Sequence, residues 1–141
     1  MSTYADTSFL VSLYIPDAHS PEAERRMATS TAVWLTPFHV AEWTHAVELH
    51  LFRRAASRTE ADQAHARFQQ HRESGLWTDV ALPESAFDVC AQLARRYAAS
   101  LGLRTLDTLH VASALELKAE RFWTFDERQK KLARAVGLKA V

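Results

Sequence analysis

The sequence predicts an α/β domain whose central sheet is parallel and is covered by helices on both faces. Short β-prone segments alternate along the chain with longer amphipathic segments, and this alternation is typical of parallel sheets built from strand–helix–strand units. Only 3 glycines and 4 prolines occur among the 141 residues, which argues against disorder and against a loop-rich β-sandwich. This length fits a single domain, 1–141.

Composition and charge narrow the class of protein. The chain is 48% hydrophobic and 24% charged, as in soluble globular proteins. Its one cysteine, Cys90, cannot form an internal disulfide and indicates a reducing compartment. The apolar run 8–15 is too short to span a bilayer, so we expect a cytoplasmic protein with no membrane contact. The charges of the 17 basic and 17 acidic residues cancel. Nonspecific binding of nucleic acid over a broad surface needs an excess of positive charge, so this balance argues against it, but not against a small nucleic-acid site.

The start of the chain predicts a strand followed directly by a buried helix. Residues 2–6 are centred on β-prone side chains and end at Asp6. The segment 7–15 is apolar on most sides, which is typical of a helix inside the core. Thr7 or Ser8 is expected to cap its exposed N–H groups.

Capping residues and β-prone runs define the next elements. The Ser20–Pro21 pair predicts a helix start. The segment 31–36 mixes Val, Trp and Thr before a proline and predicts a strand, and 38–55 has a helical apolar stripe. Ser57 and Glu60 have the spacing of a capping box for a further helix.

Glycines mark the helix ends in the second half of the chain. The helix after the capping box is predicted to end at Gly75. The clearest helix, 84–101, stops at Gly102, and the last helix stops at Gly137. Thr105 is expected to cap the helix that follows Gly102. Strands are predicted at 76–82, 121–125 and 138–141.

Four acidic residues occupy positions that a parallel sheet brings together. Asp6 and Asp126 follow predicted strands, and Asp107 lies in the first turn of a strongly apolar helix. Glu42 lies one turn into the helix after the second strand. Because sites in such sheets lie beyond the carboxyl ends of the strands, all four acids could face one crevice.

A crevice lined by carboxylates favours a hard divalent cation. Neighbouring carboxylates raise each other's pKa, and a cation removes this repulsion. Mg²⁺ and Mn²⁺ prefer oxygen ligands, and Mg²⁺ usually keeps several waters. A bound water of lowered pKa is a nucleophile, and the ion offsets charge on a phosphoryl oxygen. The four acids fit a site for either one or two such ions.

Four segments of the chain together resemble the PIN-domain family, and within it the VapC-type toxins of toxin–antitoxin pairs. The segments are "YADTSFLVSLY", "HVAEWTHAV", "LDTLHVASAL" and "FWTFDER". They contain Asp6, Thr7, Ser8, Glu42, Asp107, His110, Thr124 and Asp126. Each motif alone is weak, but all four occur in order and the resemblance runs nearly end to end.

The resemblance implies a three-layer α/β/α fold and a metal-dependent endoribonuclease. It further implies an RNA substrate, a homodimer and a VapB-like antitoxin that wraps the toxin and blocks its site. Asp6 and Asp107 are the expected principal ligands of Mg²⁺ or Mn²⁺, with Glu42 and Asp126 completing the acidic pocket. The hydroxyls of Thr7, Ser8 and Thr124 are expected to bond carboxylates or metal waters, and His110 to bond a neighbour.

Other functions stay open from the sequence. Each acid alone fits a helix cap, a turn or a surface position. A PIN-type enzyme that processes RNA without an antitoxin would have the same motifs. The acid-x-x-His spacings at Glu42–His45 and Asp107–His110 also fit a di-iron helical bundle, although the predicted strands have no place there. A catalytically silent binding module is the last alternative, and the presence of all four acids argues against it.

Overall fold

A five-stranded parallel sheet forms the centre of the molecule. The computed structural model describes residues 2–29 and 32–141. The strands are β1 (Ser2–Ala5), β2 (Ala32–Leu35), β3 (Trp77–Asp79), β4 (Arg121–Trp123) and β5 (Lys139–Ala140). Their order is β3-β2-β1-β4-β5, and every hydrogen-bonded pair is parallel. The predicted fold class is confirmed. Thr31, the first residue of the predicted strand 31–36, lies outside the described residues.

Helices follow each of the first four strands. They are α1 (Thr7–Tyr14), α2 (Ser20–Thr29), α3 (Pro37–Phe52), α4 (Arg58–Glu73), α5 (Ser85–Leu93), α6 (Ala99–Leu101), α7 (Thr105–Glu116) and α8 (Glu127–Ala135). A π-helical turn, Ala94–Ala98, joins α5 to α6, so the predicted helix 84–101 is helical throughout but is wound more widely in its middle. No helix in the described part of the chain is long and apolar enough to cross a bilayer.

The sheet buries apolar side chains on both faces, which makes the fold three-layered. Ala5 packs into a cluster closed by α1, α3 and α4, whereas its neighbour Tyr4 packs into a cluster closed by α7 and α8. Successive strand residues point to opposite faces, so β1 contributes to both halves of the core. On the predicted stripe of α3, Trp43 and Val47 are fully buried. On α5, Phe87 is 56% exposed, so that end of the predicted apolar stripe faces outward.

The helix caps differ from two of the predictions. The cap of α1 is Asp6, not Thr7 or Ser8, because the Asp6 carboxylate accepts the Phe9 N–H at 2.9 Å. Thr7 is instead the first helical residue. The Asp6 side chain is thereby fixed to the start of α1, a position that matters for the site described below.

The helix that carries Asp107 begins one residue earlier than predicted. Its cap is Arg104 rather than Thr105, because the Asp107 carboxylate reaches back to the Arg104 N–H at 3.4 Å. The capping box of α4 is confirmed: the Ser57 and Glu60 side chains accept each other's backbone N–H groups at 3.1 and 3.0 Å.

The turn before α7 depends on a glycine. Gly102 has φ 67°, the left-handed conformation that side chains with a Cβ rarely adopt. Its N–H bonds the Ala98 carbonyl at 2.8 Å and closes the preceding helix. The chain thus turns within three residues into α7, whose first turn carries Asp107.

Candidate active site

The four predicted acids line one cleft at the carboxyl edge of the sheet. Asp6 extends from the end of β1, Glu42 lies on α3, Asp107 on α7, and Asp126 immediately before α8. The cleft has a volume of about 520 Å³. It opens beside β1, where the strand order reverses direction, and such points are the usual ligand sites of open α/β sheets.

A larger cleft, of about 980 Å³, lies on the outer side of α3. Its walls are mainly apolar and come from the ends of β2 and β3 and from α3. None of the four predicted acids lines this larger cleft. Choosing the candidate site by volume alone would therefore miss the carboxylates. His45 lines this outer cleft whereas His110 lines the acidic one. His45 therefore does not join Glu42, Asp107 and His110 in one site, and the parallel sheet excludes the di-iron bundle.

Asp6 is a buried carboxylate held by several donors. Its exposed fraction is 1%. Besides the cap bond, its oxygens accept the Ser8 hydroxyl at 2.9 Å and the Thr124 hydroxyl at 2.7 Å. Burial nevertheless raises the pKa of Asp6 above its usual value, although nearby His110 and these hydrogen bonds oppose the rise. Burial therefore destabilises the ionised carboxylate of Asp6, and a bound cation would stabilise it.

Glu42 is held in the ionised form by a histidine. Its Oε1 lies 2.6 Å from Nε2 of His110, a side chain with 2% exposure. Burial alone would raise the pKa of Glu42, but the hydrogen bond and charge of His110 outweigh it, so the pKa lies below its usual value. The Thr7 hydroxyl lies 3.2 Å from the same nitrogen. Two acids of one cleft therefore have pKa values displaced in opposite directions.

Asp107 faces the cleft beside a glutamine that the sequence interpretation missed. Its Oδ1 accepts the Gln129 amide at 3.2 Å, and Arg104 Nε lies 3.4 Å from Oδ2. Gln129 is 4% exposed, and its Oε1 is buried without a hydrogen-bond partner among the described residues. The helical spacing to buried Leu132 and Ala133 was a usable signal that Gln129 points inward.

Asp126 caps α8 and also lines the cleft. Its Oδ1 accepts the N–H groups of Arg128 at 2.8 Å and Gln129 at 2.9 Å. Its own N–H donates to the Thr124 hydroxyl at 2.9 Å. The prediction that Asp126 caps a helix is therefore confirmed. The same side chain also lines the acidic cleft, so the two positions are compatible. Thr124 bonds both Asp6 and Asp126, so it connects two of the acids.

The donor set fits a hydrated hard cation better than a closed metal cage. Within residues 2–29 and 32–141, no three His, Cys, Asp or Glu side chains converge tightly enough to form a complete set of ligands. Structural zinc sites need such a closed set, whereas Mg²⁺ takes one or two carboxylates and keeps several waters. Carboxylate oxygens and the partnerless Gln129 Oε1 are ligands and water-binding groups of that kind.

Replacing Thr124 with Val is expected to loosen the acidic cluster and lower stability. The change leaves the Asp126 N–H without its partner and removes one of the two hydroxyl groups that bond the buried Asp6 Oδ2, which costs about 1–3 kcal/mol in the free energy of unfolding. Loss of such a supporting hydrogen bond also weakens metal binding about 10- to 100-fold. Urea denaturation and Mn²⁺ titration measure the two effects. Thr124→Ser keeps the hydroxyl and should retain most of both; equal losses in the two variants would assign the effect to packing.

The fold and the matching sequence model place this chain in the PIN domain family. The PIN domain model matches residues 3–135, nearly the whole chain, and the chain belongs to that family. A search of characterised protein sequences gives no significant match.

Solved structures with the same fold include toxins and toxin–antitoxin assemblies. VapC20 of Mycobacterium tuberculosis, a sarcin–ricin loop cleaving toxin, has a TM-score of 0.69 at 19% identity, over 96% of this chain and 95% of that one. FitAcB of Neisseria gonorrhoeae has a TM-score of 0.72 at 19% identity, over 98% and 95%. VapBC2 of Rickettsia felis, bound to a promoter DNA fragment, has a TM-score of 0.68 at 15% identity, over 100% and 98%. At these identities the likeness establishes the fold.

Proposed function

We propose that this protein is a metal-dependent endoribonuclease and the toxin of a VapBC-type toxin–antitoxin pair. The observation that carries the proposal is the convergence of Asp6, Glu42, Asp107 and Asp126, from four separate elements, on one cleft at the carboxyl edge of the sheet. Family membership supports a nuclease, and the fold is shared with toxins.

Asp6 and Asp107 would hold Mg²⁺ or Mn²⁺, with Glu42 and Asp126 binding the ion or its waters. When bound, the ion supplies a water of lowered pKa and offsets negative charge on the phosphate. Asp6 is fixed for this role by the Ser8 and Thr124 hydroxyls. Glu42 stays ionised through His110, so its carboxylate is available to orient a water by accepting a hydrogen bond.

The charges of the cleft also indicate why a cation is needed before RNA binds. Besides the four acids, Asp17 lines the cleft, whereas Arg53 and Arg104 are the arginines among its lining residues. A cleft with this excess of carboxylates repels phosphate until cations neutralise it. The two arginines would then contact phosphates of the RNA backbone.

An exposed aromatic stack at the rim favours single-stranded RNA. His19 is exposed and stacks on Phe125, with ring centroids 4.3 Å apart and an interplanar angle of 7°. Both rings line the acidic cleft, and the outer face of His19 can continue the stack with an unpaired base, as aromatic rings do in single-strand binding.

His19→Ala is therefore expected to weaken binding of single-stranded RNA by about 5- to 100-fold, the usual contribution of one stacked base. Fluorescence anisotropy with Mn²⁺ present measures it. His45→Ala changes an exposed histidine of the outer cleft and should leave the affinity unchanged, as should His19→Phe. Equal affinities for the wild type and His19→Ala would contradict the stacking role.

Cleavage of RNA by the purified protein tests the proposed function. We expect cleavage with Mg²⁺ or Mn²⁺, none with EDTA, and recovery when excess Mn²⁺ follows EDTA. Cleavage that persists unchanged in EDTA would overturn the metal-dependent assignment. Absence of cleavage of any RNA under metal-replete conditions would favour the silent binding module.

The fold shared with toxin–antitoxin assemblies supports an antitoxin partner. A homodimer and a cytoplasmic setting belong to the same proposal as expectations from the sequence. The alternative is a PIN-type enzyme that processes RNA alone. The adjacent reading frame discriminates between them. A short upstream gene encoding a DNA-binding start and an amphipathic tail would favour the toxin, and its absence would favour the stand-alone enzyme.

A further inference from the structure

We propose that the outer side of α8 is a phosphate-binding strip that holds the RNA strand where it leaves the acidic cleft. The strip consists of Arg128, Lys131 and Arg134, and it continues from Arg104 at the rim of the cleft. The identity of the strand as substrate rests on the proposed nuclease function. The binding of phosphates to the strip does not, and it is measured without cleavage.

Positive charge is concentrated in the last part of the chain, although the total charge is zero. Residues 90–141 contain 10 basic and 5 acidic side chains, whereas residues 1–89 contain 7 and 12. The electrostatic potential over a surface depends on the charges nearby and not on the total. An anionic partner is therefore attracted to the surfaces that the last part of the chain forms.

The helix α8 presents three of these cations on its outer side. Arg128, Lys131 and Arg134 are exposed and follow one another at intervals of three residues, so neighbours along the strip lie about 5–6 Å apart. The only acid within α8 is Glu127, and it pairs with Lys130 at 3.3 Å. The strip therefore keeps its positive charge.

The two arginines of the strip are bonded to carbonyl oxygens and not to carboxylates. Arg128 Nη1 donates to the Gly102 carbonyl at 3.3 Å, and Arg134 Nε donates to the Ala140 carbonyl at 3.2 Å. Neither arginine has a carboxylate within 4.0 Å among the described residues. Because a guanidinium has five N–H donors, each is oriented by a neutral acceptor and has donors left for an anion.

Arginines on the other side of the molecule are paired differently. Arg25 and Arg26 bond Glu22 at 2.6 and 2.9 Å, and Arg58 bonds Glu48 at 2.8 Å. In these pairs a carboxylate already neutralises the guanidinium. The unpaired cations of α8 are therefore a local property of this helix.

The strip begins at the acidic cleft. Arg104 lines the cleft and follows Gly102, the residue whose carbonyl orients Arg128, so both arginines flank one turn. Since α8 connects the parallel strands β4 and β5, it runs from the carboxyl edge of the sheet back to the amino edge. Arg134 lies about 9 Å along the helix axis from Arg128, at about 1.5 Å per residue.

A line of cations on an exposed helix fits a chain of phosphates. Arg and Lys contacts to phosphate oxygens position a nucleic acid without reading its sequence. Because the line continues from the proposed cleavage site, the occupant that it fits is the part of a single RNA strand beyond the scissile bond. Binding at the strip should therefore be independent of sequence and strongly dependent on salt.

The chain offers a matched control at the opposite edge of the sheet. Lys118 lies between the end of α7 and β4, and Lys139 begins β5, so both exposed lysines lie at the amino edge. The double variants Arg128→Gln/Lys131→Gln and Lys118→Gln/Lys139→Gln change the net charge equally. A difference between them therefore reports the place of the charge and not its amount.

Fluorescence anisotropy with Mn²⁺ and labelled single-stranded DNA of about 20 nucleotides measures the strip by itself. This DNA has the phosphates of RNA but lacks the 2′-OH groups. Each phosphate contact contributes about 0.7 to the slope of log affinity against log salt. Arg128→Gln/Lys131→Gln should reduce this slope by about 1.4 and lower affinity about 10- to 30-fold at about 0.1 M salt. The amino-edge variant should match the wild type.

Equal slopes for the wild type and Arg128→Gln/Lys131→Gln would overturn the proposal and leave an acidic protein as the partner of α8. The variant Arg128→Lys/Lys131→Arg keeps both charges and should bind as the wild type does. A loss equal to that of the Gln variant would assign the effect to packing and would also overturn it. A reduced slope in a protein that cleaves no RNA would support the strip and contradict the nuclease function.

Cleavage kinetics test whether the strip holds the substrate. For an RNA of about 20 nucleotides, the KM of Arg128→Gln/Lys131→Gln should rise about 10- to 30-fold while kcat stays constant, because binding is lost equally in the ground state and the transition state. The amino-edge variant should keep the KM of the wild type. A lower kcat at constant KM would place these residues in the reaction and would contradict a strip outside the cleft.

Discussion

Asp6→Asn is expected to reduce RNA cleavage by about 10²- to 10⁴-fold. The substitution removes the charge of the most buried acid in the cleft, and a bound metal contributes several kcal/mol of transition-state stabilisation, at about 1.4 kcal/mol per tenfold in rate. Asn is also a good helix cap, so α1 keeps its bond to the Phe9 N–H and the fold is preserved. Single-turnover cleavage of RNA at saturating Mn²⁺ measures the loss.

Glu127→Gln provides the matched control for this experiment. Glu127 is an acid adjacent to Asp126, but its side chain is 73% exposed and does not line the cleft. We expect wild-type cleavage from this variant and a loss in Asp107→Asn similar to that in Asp6→Asn. Full activity in both aspartate variants would refute the assignment of these acids to the reaction.

The same Asp6→Asn change is expected to stabilise the metal-free protein at neutral pH. Burial raises the pKa of Asp6 in the folded protein, so the folded state binds this proton more tightly than the unfolded chain does. The stability associated with the protonated acid is fully present below the unfolded pKa and is lost as pH rises through the folded pKa. At pH 7 the ionised Asp6 therefore lowers the free energy of unfolding of the wild type, whereas the uncharged side chain of the Asp6→Asn variant does not.

Thermal melting in EDTA as a function of pH tests this expectation. The Tm of Asp6→Asn should exceed that of the wild type at pH 7, by about 2–4 °C for each kcal/mol relieved. The difference should shrink as the pH falls through the raised folded pKa of Asp6 and should be gone below its unfolded pKa, about 4. Mn²⁺ should raise the Tm of the wild type and have little effect on the variant. A lower Tm for Asp6→Asn at pH 7 would mean that the ionised carboxylate supports the fold.

The order and type of the helices and strands could be predicted from the sequence, because the signals for them are local. These signals are the periodicity of apolar residues and the Pro and Gly residues at which elements begin or end. The stops at Gly75 and Gly102 and the capping box at Ser57 agree with the structure. The predicted cap of α7, Thr105, is one residue after the observed cap, and the predicted caps of α1, Thr7 or Ser8, are one or two residues after it. In both, a nearby carboxylate outcompetes the hydroxyl of a threonine, and this choice depends on side-chain geometry that residue type alone does not show.

The acidic cleft was predictable because each acid follows a strand or begins a helix in a parallel fold. Gln129 and Tyr4 were not recognised as neighbours of the acids. Tyr4 contacts His110 across 106 positions of the chain, and that contact depends on which face of β1 the side chain occupies. The sequence of β1 does not show which of its two faces packs against α7. That follows only from the way the strands are assembled into the sheet.

Asp6 has a mechanical consequence that follows from its two attachments. Its Oδ1 caps α1 through the Phe9 N–H, and its Oδ2 is bonded to the Thr124 hydroxyl beyond β4. The carboxylate therefore cannot shift without moving α1 or losing one of these bonds. Any molecule that displaced α1, even from the surface opposite the cleft, would alter the geometry of the acid and thereby act on cleavage from a distance.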